Sequence, residues 1–171
     1  MIDPTNHEPE EPLPDINPLR KQVQAKIKRL ELRSSSGLWL LALFTLLSMG
    51  AFRDFAILPS LSEEVHAFLG KGPNPYMINW ALVVYAFSAL IMVLTQMAGN
   101  KKPASGLPHF AYLGGFYGFY HLTHSLVENF WAVFVVGLTI LGLQSYHIWN
   151  YYHEQIQEQK EILAELDKLV D

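Results

Sequence analysis

The chain has 171 residues, of which 50% are hydrophobic and only 16% are charged, with a formal net charge of −4. Soluble globular domains carry about 25% charged residues, so this composition excludes an ordinary soluble domain. The absence of cysteine excludes disulfides, thiolate metal sites and a cysteine nucleophile. Because the charges lie mostly at the two ends, the sequence predicts a membrane protein with polar flanks.

The N-terminal flank divides into two segments. Residues 1–17 mix acidic residues with prolines and are predicted to be disordered. Residues 18–36 are predicted to form a basic amphipathic helix, with Pro18 in the favoured first position. Its polar face carries Arg20, Lys21, Lys26, Lys28, Arg29 and Arg33. Two interpretations stay open for this helix, since it is either solvated or lies on anionic lipid.

The middle of the chain, 37–152, contains four apolar segments at about 38–58, 76–97, 107–125 and 129–151. A helix that crosses the hydrocarbon core needs about 20 residues, so the apolar stretch 107–152 is too long for one span. It is predicted to fold back near 121–129. The loop at 59–75 is predicted to hold a short helix at 62–70, capped by Ser62.

The C-terminal segment, 153–171, continues the helical pattern of the fourth span with mostly acidic charges. We expect it to leave the membrane as one amphipathic helix and to pack antiparallel against the basic N-terminal helix. The predicted fold class is therefore all-α: a polytopic bundle of four transmembrane helices with amphipathic cytoplasmic helices at both ends.

The orientation follows from the distribution of basic residues. Six of them precede the first span, Lys101 and Lys102 lie between the second and third spans, and 59–75 contains only Lys71. Since cytoplasmic loops are enriched in Lys and Arg, both termini are predicted to be cytoplasmic. The expected location is a bacterial inner membrane.

In this membrane topology, the polar residues of the predicted spans lie in two layers at different depths. The layer remote from the termini, called the outer layer, contains Arg53, Asp54, Asn79, His121, His124 and Glu128. Helical spacing predicts that His121, His124 and Glu128 share one stripe. Three interpretations stay open: a clasp pairing Arg53 with Glu128 and Asp54 with a histidine, a proton relay or quinone head-group site, and a metal site of Asp54, His121, His124 and Glu128.

The inner layer, on the side of the termini, contains Gln96, His109, Gln144 and His147. His109 and His147 on adjacent spans could ligate haem b, although an aromatic belt of Tyr146, Trp149, Tyr151 and Tyr152 favours interfacial anchoring. No cofactor is predicted, and haem b or a quinone is the alternative.

A run of small residues, Gly114, Gly115 and Gly118, predicts close helix packing in the third span. The chain contains no Walker loop, serine or cysteine catalytic arrangement or nucleic-acid module. The expected function is a non-catalytic accessory or assembly subunit that contacts lipid and other membrane subunits, or a second copy, but not nucleic acid. Alternatives are a redox or proton-transfer subunit binding quinone or haem, and a homo-oligomeric channel or carrier lined by Arg53, Asp54 and Glu128.

Overall fold

The computed structural model describes residues 16–56 and 74–168, and the regular structure within these ranges is entirely helical. The helices are α1 (Ile16–Ser34), α2 (Ser36–Phe52), α3 (Pro75–Ala98), α4 (Leu107–Leu122) and α5 (Leu126–Lys168). The predicted all-α class is confirmed for these residues. The predicted disordered segment 1–17 lies outside them, apart from its last two residues, which begin α1. The predicted short helix at 62–70 also lies outside.

Three helices of the described ranges are long and apolar enough to cross a membrane: Asn17–Phe52, which joins α1 and α2, then Pro75–Ala98 and Leu126–Lys168. The segment predicted as a third span, 107–125, forms the shorter helix α4 of 16 residues. At 1.5 Å per residue α4 is about 24 Å long, whereas a hydrocarbon core is about 30 Å thick. Membrane-spanning length is therefore observed for three of the four predicted spans.

The ends of α2 and α4 explain why both helices are shorter than predicted. After Phe52 the backbone turns, and the amides of Asp54 and Phe55 donate to the carbonyls of Ala51 and Gly50, each at 2.9 Å. At the end of α4, the amide of His124 donates to the carbonyl of His121 at 3.1 Å and that of Ser125 to the carbonyl of Tyr120 at 3.0 Å, so the i→i−4 pattern ends there. Polar residues lie at both turns, Arg53 and Asp54 after α2 and Thr123 and His124 after α4, so hydropathy locates each break only to within a few residues.

α1 leads into α2 with a single residue, Ser35, between them. Ser35 keeps a right-handed helical conformation, and its carbonyl accepts from the amide of Trp39 at 3.2 Å. The basic helix is therefore a direct extension of the first apolar helix.

α5 is the central element, because it contacts every other helix. α4 lies against α5 and touches both α2 and α3, whereas α2 and α3 make no contact with each other within the described ranges. Pairs of neighbouring residues give the directions: α2 and α4 run parallel, and α3 and α5 run opposite to them. The core between the helices is rich in aromatic rings, with Phe44 stacked on Tyr117 and Tyr117 stacked on Phe130.

Glycines allow α2 and α5 to approach closely. A Cβ built on Gly37 would lie 2.7 Å from the Cα of Ser145, and a Cβ built on Gly137 would overlap the ring of Phe44. Real Cβ contacts are not this short, so the backbones could not adopt this separation with larger residues. The two positions fix the register of α2 on α5.

α1 packs against the part of α5 that extends past the bundle. Arg20 forms an ion pair with Asp167, with Nε 2.9 Å from Oδ1, and Tyr152, Ile156 and Gln159 of α5 are buried. Because residues near the start of α1 meet residues near the end of α5, the two helices are antiparallel, as their complementary charge suggested.

Candidate functional site

The turn after α2 shapes one side of the outer layer. Asp54 and Phe55 have φ angles of 49° and 50°, in the left-handed region. Aspartate tolerates this conformation, but it is rare for a bulky residue such as phenylalanine. The turn is held by the two backbone hydrogen bonds described above, and it directs both side chains toward the end of α4.

Both of these side chains contact His121. The Nδ1 atom of His121 lies 2.9 Å from Oδ1 of Asp54, and the ring of Phe55 packs edge-on against the imidazole with centroids 5.4 Å apart. The side chain of Asp54 is 58% exposed and that of His121 is 29% exposed. This pair joins α2 to α4 and orients the imidazole.

The predicted stripe of His121, His124 and Glu128 is not formed, because the helix ends at Leu122. His124 lies in the turn with a φ angle of 53°, and Glu128 lies in the first turn of α5. Helical spacing does not hold across this turn, so the prediction was wrong on this point. Within the described ranges Arg53 and Glu128 form no ion pair. One half of the predicted clasp, Asp54 with a histidine, is present, and the other half is not.

Arg53 instead lies at a cleft of about 340 Å³ between α2 and α5. The other lining residues are mostly large and apolar or aromatic: Met49, Phe52, Phe130, Trp131 and Phe134, with Thr45 and Ser48 as polar members. An arginine at the edge of an aromatic cleft can donate hydrogen bonds to a carbonyl or carboxylate of a planar or amphiphilic molecule.

Three tyrosines make polar contacts between helices that the sequence analysis missed. The hydroxyl of Tyr117 donates to Oγ of Ser48 at 3.0 Å, joining α4 to α2. The hydroxyl of Tyr120 donates to Oδ1 of Asn79, and that of Tyr85 lies 3.1 Å from Nδ1 of His109, so both join α4 to α3. A buried tyrosine hydroxyl needs a partner. That rule predicts that these tyrosines bond to polar residues such as Ser48 and Asn79. It does not predict which tyrosine bonds to which residue.

The glutamines of the inner layer hold the loop between α3 and α4. Gln144 donates from Nε2 to the carbonyl of Ala104 at 2.6 Å, and the amide of Ala104 donates to Oε1 of Gln96 at 3.4 Å. A Cβ on Gly106 would lie 3.0 Å from Leu40 of α2. The loop is therefore fixed against α2, α3 and α5.

The histidines of the inner layer face different parts of α3. His109 contacts Tyr85, whereas His147 lines a small cavity of about 70 Å³ together with Met97 and Asn100. Tyr85 and Met97 are about 18 Å apart along the axis of α3. His109 and His147 therefore contact different residues, at different depths along α3.

The predicted packing glycines differ in what surrounds them. A Cβ on Gly114 would lie 3.4 Å from Leu47 of α2, so Gly114 lies at a contact within the chain. A Cβ on Gly115 or Gly118 would meet no atom of the described residues within 4 Å. Gly115 and Gly118 therefore form a shallow open strip on α4, called the glycine strip below.

No three His, Asp or Glu side chains come together as a ligand set in the part of the chain that the structure describes. The outer layer thus offers one carboxylate–imidazole pair, one arginine at an aromatic cleft and several inter-helix hydrogen bonds. These groups can orient helices and can bind a small polar group. No family model, curated protein or solved structure matches the chain, so its own geometry has to indicate the function.

Proposed function

We propose that this protein is a non-catalytic accessory or assembly subunit of a membrane complex, with four transmembrane spans and both termini in the cytoplasm of a bacterial cell. The glycine strip on α4 is the observation that carries the proposal. It lies on the shortest of the four apolar helices, and no part of the described chain covers it.

The contrast with the other glycines supports this assignment. Gly37 faces Ser145 and Gly137 faces Phe44 across the contact of α2 with α5, so these two glycines allow close helix packing. Inside a membrane, helices associate mainly through van der Waals packing at small residues rather than through the hydrophobic effect. An open strip of the same kind offers this contact to a helix from another chain.

The length of α4 supports the proposal independently. A helix shorter than the local hydrocarbon thickness is accommodated by thinning of the bilayer or by association with other helices. At about 24 Å, α4 is short for a surface that faces lipid alone. A partner helix seated on the glycine strip would shield α4 from this mismatch.

The cytoplasmic helices are less available to a partner than their sequences suggest. Val23, Ile27 and Leu30 of α1 are partly buried, and Ile156 of α5 is buried. The apolar faces of α1 and α5 therefore already cover each other. We assign the main contact with a partner to the membrane-embedded face of α4, with the cytoplasmic helices as a secondary contact.

The proposal is tested by filling the glycine strip. We expect the full-length protein, extracted in mild detergent, to co-elute with one partner at fixed stoichiometry in size-exclusion chromatography. In the Gly115→Leu, Gly118→Leu double variant this partner should be lost, because the new side chains occupy the strip. The matched control is Gly142→Leu on α5, where an added Cβ also meets nothing within 4 Å.

The control distinguishes loss of docking at α4 from a general effect of adding large side chains on the outer surface of the helices. Retention of the partner by Gly142→Leu and its loss from the double variant would support the proposal. A wild-type protein that elutes alone as a monomer would contradict it, as would equal loss of the partner in both variants.

The aromatic cleft beside Arg53 favours a second candidate, a subunit that binds a quinone head group. Its volume of about 340 Å³ is at the lower end of the range typical for small-molecule sites. Trp131 lines the cleft, so added quinone should quench tryptophan fluorescence, and Arg53→Gln should weaken the quenching. No saturable quenching by a short-chain quinone would dispose of this candidate.

A further inference from the structure

A cavity of about 700 Å³ lies at the opposite end of the molecule from the outer layer. It is formed where α1 meets α2, by the loop between α3 and α4, and by α5. The lining residues on which its chemistry depends are Arg33, Ser36, Trp39, Lys102, Ser105 and Tyr152. Neither the proposed docking on α4 nor the quinone candidate uses this cavity.

Two of the residues that line the cavity are cations without an ion-pair partner among the described residues. Arg33 and Lys102 form no ion pair with any residue in 16–56 or 74–168, whereas Arg20 of the same basic helix is paired with Asp167. No acidic residue of the ranges 16–56 and 74–168 lines the cavity. Its charge therefore favours an anion, and a guanidinium with an ammonium is a common pair of ligands for phosphate.

Tyr152 adds a hydrogen-bond donor to the cavity. The residue is 8% exposed, and its hydroxyl makes no hydrogen bond to the described residues. The hydroxyl is not among the buried atoms that lack a partner, so it reaches accessible space and is free to donate. Tyr152 lines the cavity, where a bound acceptor could receive this hydrogen bond.

The walls of the cavity are fixed in place. The hydrogen bonds of Gln144 and Gln96 to Ala104 hold the loop next to Lys102, and Leu107 donates its amide to Oγ of Ser105 at 3.2 Å. On the other wall, Oγ of Ser36 donates to the carbonyl of Arg33 at 2.7 Å. A ligand would therefore meet a pre-formed site, and binding would cost little ordering entropy.

The position of the cavity identifies the source of the anion. It lies where the apolar part of α2 begins, α3 has ended and α4 starts, at the expected boundary between hydrocarbon and water. Trp39 and Leu107 line its rim and are 69% and 58% exposed, so they face the region that acyl chains would fill. A charged pocket with an apolar rim at this depth matches an anionic lipid, whose head group and chains are joined.

We propose that this cavity is a binding site for an anionic phospholipid. Its phosphate interacts with Arg33 and Lys102, its head group accepts the hydrogen bond of Tyr152, and its acyl chains lie against Trp39 and Leu107. The basic helix α1 thus contributes to a defined lipid site and not only to diffuse surface charge.

The experiment measures lipid binding to the full-length protein in detergent by native mass spectrometry. The probes are dioctanoyl phosphatidylglycerol, dioctanoyl phosphatidylcholine and inorganic phosphate. We expect phosphatidylglycerol to bind at least about tenfold more tightly than phosphatidylcholine, since each Lys or Arg near the surface contributes about a fivefold preference for anionic lipid. The Arg33→Gln, Lys102→Gln double variant should bind phosphatidylglycerol roughly 30-fold more weakly.

The matched control is Arg29→Gln, Lys101→Gln, which removes the same charge one turn and one residue away from the cavity. It should keep its affinity within about threefold, and Tyr152→Phe should weaken binding without preventing folding. Equal weakening in both double variants would overturn the proposal in favour of diffuse surface charge. Full competition by inorganic phosphate at equal concentration would also overturn it, because the site would then recognise free phosphate and not a lipid.

Discussion

The two sides of α5 differ in how completely they are covered. On one side, α2 lies against α5 with glycines at both close approaches, Gly37 and Gly137, and with Phe44 enclosed between them. On the other side, α3 buries only a narrow line of side chains, at Ile78, Leu82, Ala89 and Val93. The α2 side contains the close glycine contacts, next to the cleft beside Arg53, whereas α4 carries the open glycine strip.

This difference separates what the chain needs for its own folding from what it offers to another molecule. Where side chains fill the contact between helices, a small increase in side-chain volume should lower the free energy of unfolding. Where a glycine faces open space, the same increase should leave the stability of the isolated protein nearly unchanged and should affect only the binding of a partner. Three measurements on the isolated protein sharpen this contrast. The first two compare a filled position with an open or exposed one, and the third tests an exposed ion pair.

The largest effect is expected for Gly137→Ala. The added methyl group would overlap the ring of Phe44, and overpacking of this kind costs about 1–3 kcal/mol. Gly142→Ala on the same helix meets nothing within 4 Å and should be neutral or slightly stabilising, because alanine favours helix formation. Thermal unfolding in detergent, followed by circular dichroism, measures both variants. Equal melting temperatures for Gly137→Ala and Gly142→Ala would show that the filled and the open positions do not differ in packing.

An intermediate effect is expected for Tyr117→Phe, which leaves Oγ of Ser48 without its donor at a buried position between α4 and α2. Inter-helix hydrogen bonds in membranes contribute about 0.6–1.7 kcal/mol in double-mutant cycles. A cycle with Ser48→Ala should yield a coupling energy in this range. Tyr112→Phe is the control, because Tyr112 is exposed and has no hydrogen bond to the described residues. A coupling energy near zero would mean that the two hydroxyls do not interact.

The smallest effect is expected for the ion pair of Arg20 and Asp167, whose side chains are 44% and 43% exposed. Pairs this exposed contribute about 0–1 kcal/mol and are screened by salt. The Arg20→Gln and Asp167→Asn variants should therefore unfold almost as the wild type does, and their coupling should vanish in 1 M salt, where the Debye length is about 3 Å. A large coupling that falls steeply with added salt would show instead that α1 is held to α5 mainly by charge.

Hydropathy and helical periodicity were sufficient for the helices and for the pairing of α1 with the end of α5. Apolar length indicates a buried or membrane-embedded helix, and the opposite charges of the two ends indicate their contact. Neither pattern determines where a helix stops. α2 stops at Phe52 and α4 at Leu122 because the backbone turns there, at polar residues whose pattern locates a break only to within a few residues.

The candidate site was harder to predict for the same reason. The stripe through His121, His124 and Glu128 assumed a continuous helix, so one turn at His124 separated residues that spacing had grouped. The contact of Asp54 with His121 depends on two consecutive left-handed residues, which no periodicity reveals. The tyrosine hydrogen bonds depend on helix register, and register is set by close contacts such as that of Gly137 with Phe44.

The continuity of α5 from Leu126 to Lys168 has a mechanical consequence. A helix of 43 residues is about 65 Å long, and this one passes without interruption from the outer layer to its pairing with α1. A tilt of about 5° at one end displaces the other end by about 6 Å. A rigid change in the inclination of α5 near Leu126 would therefore displace the acidic residues near its end at Lys168.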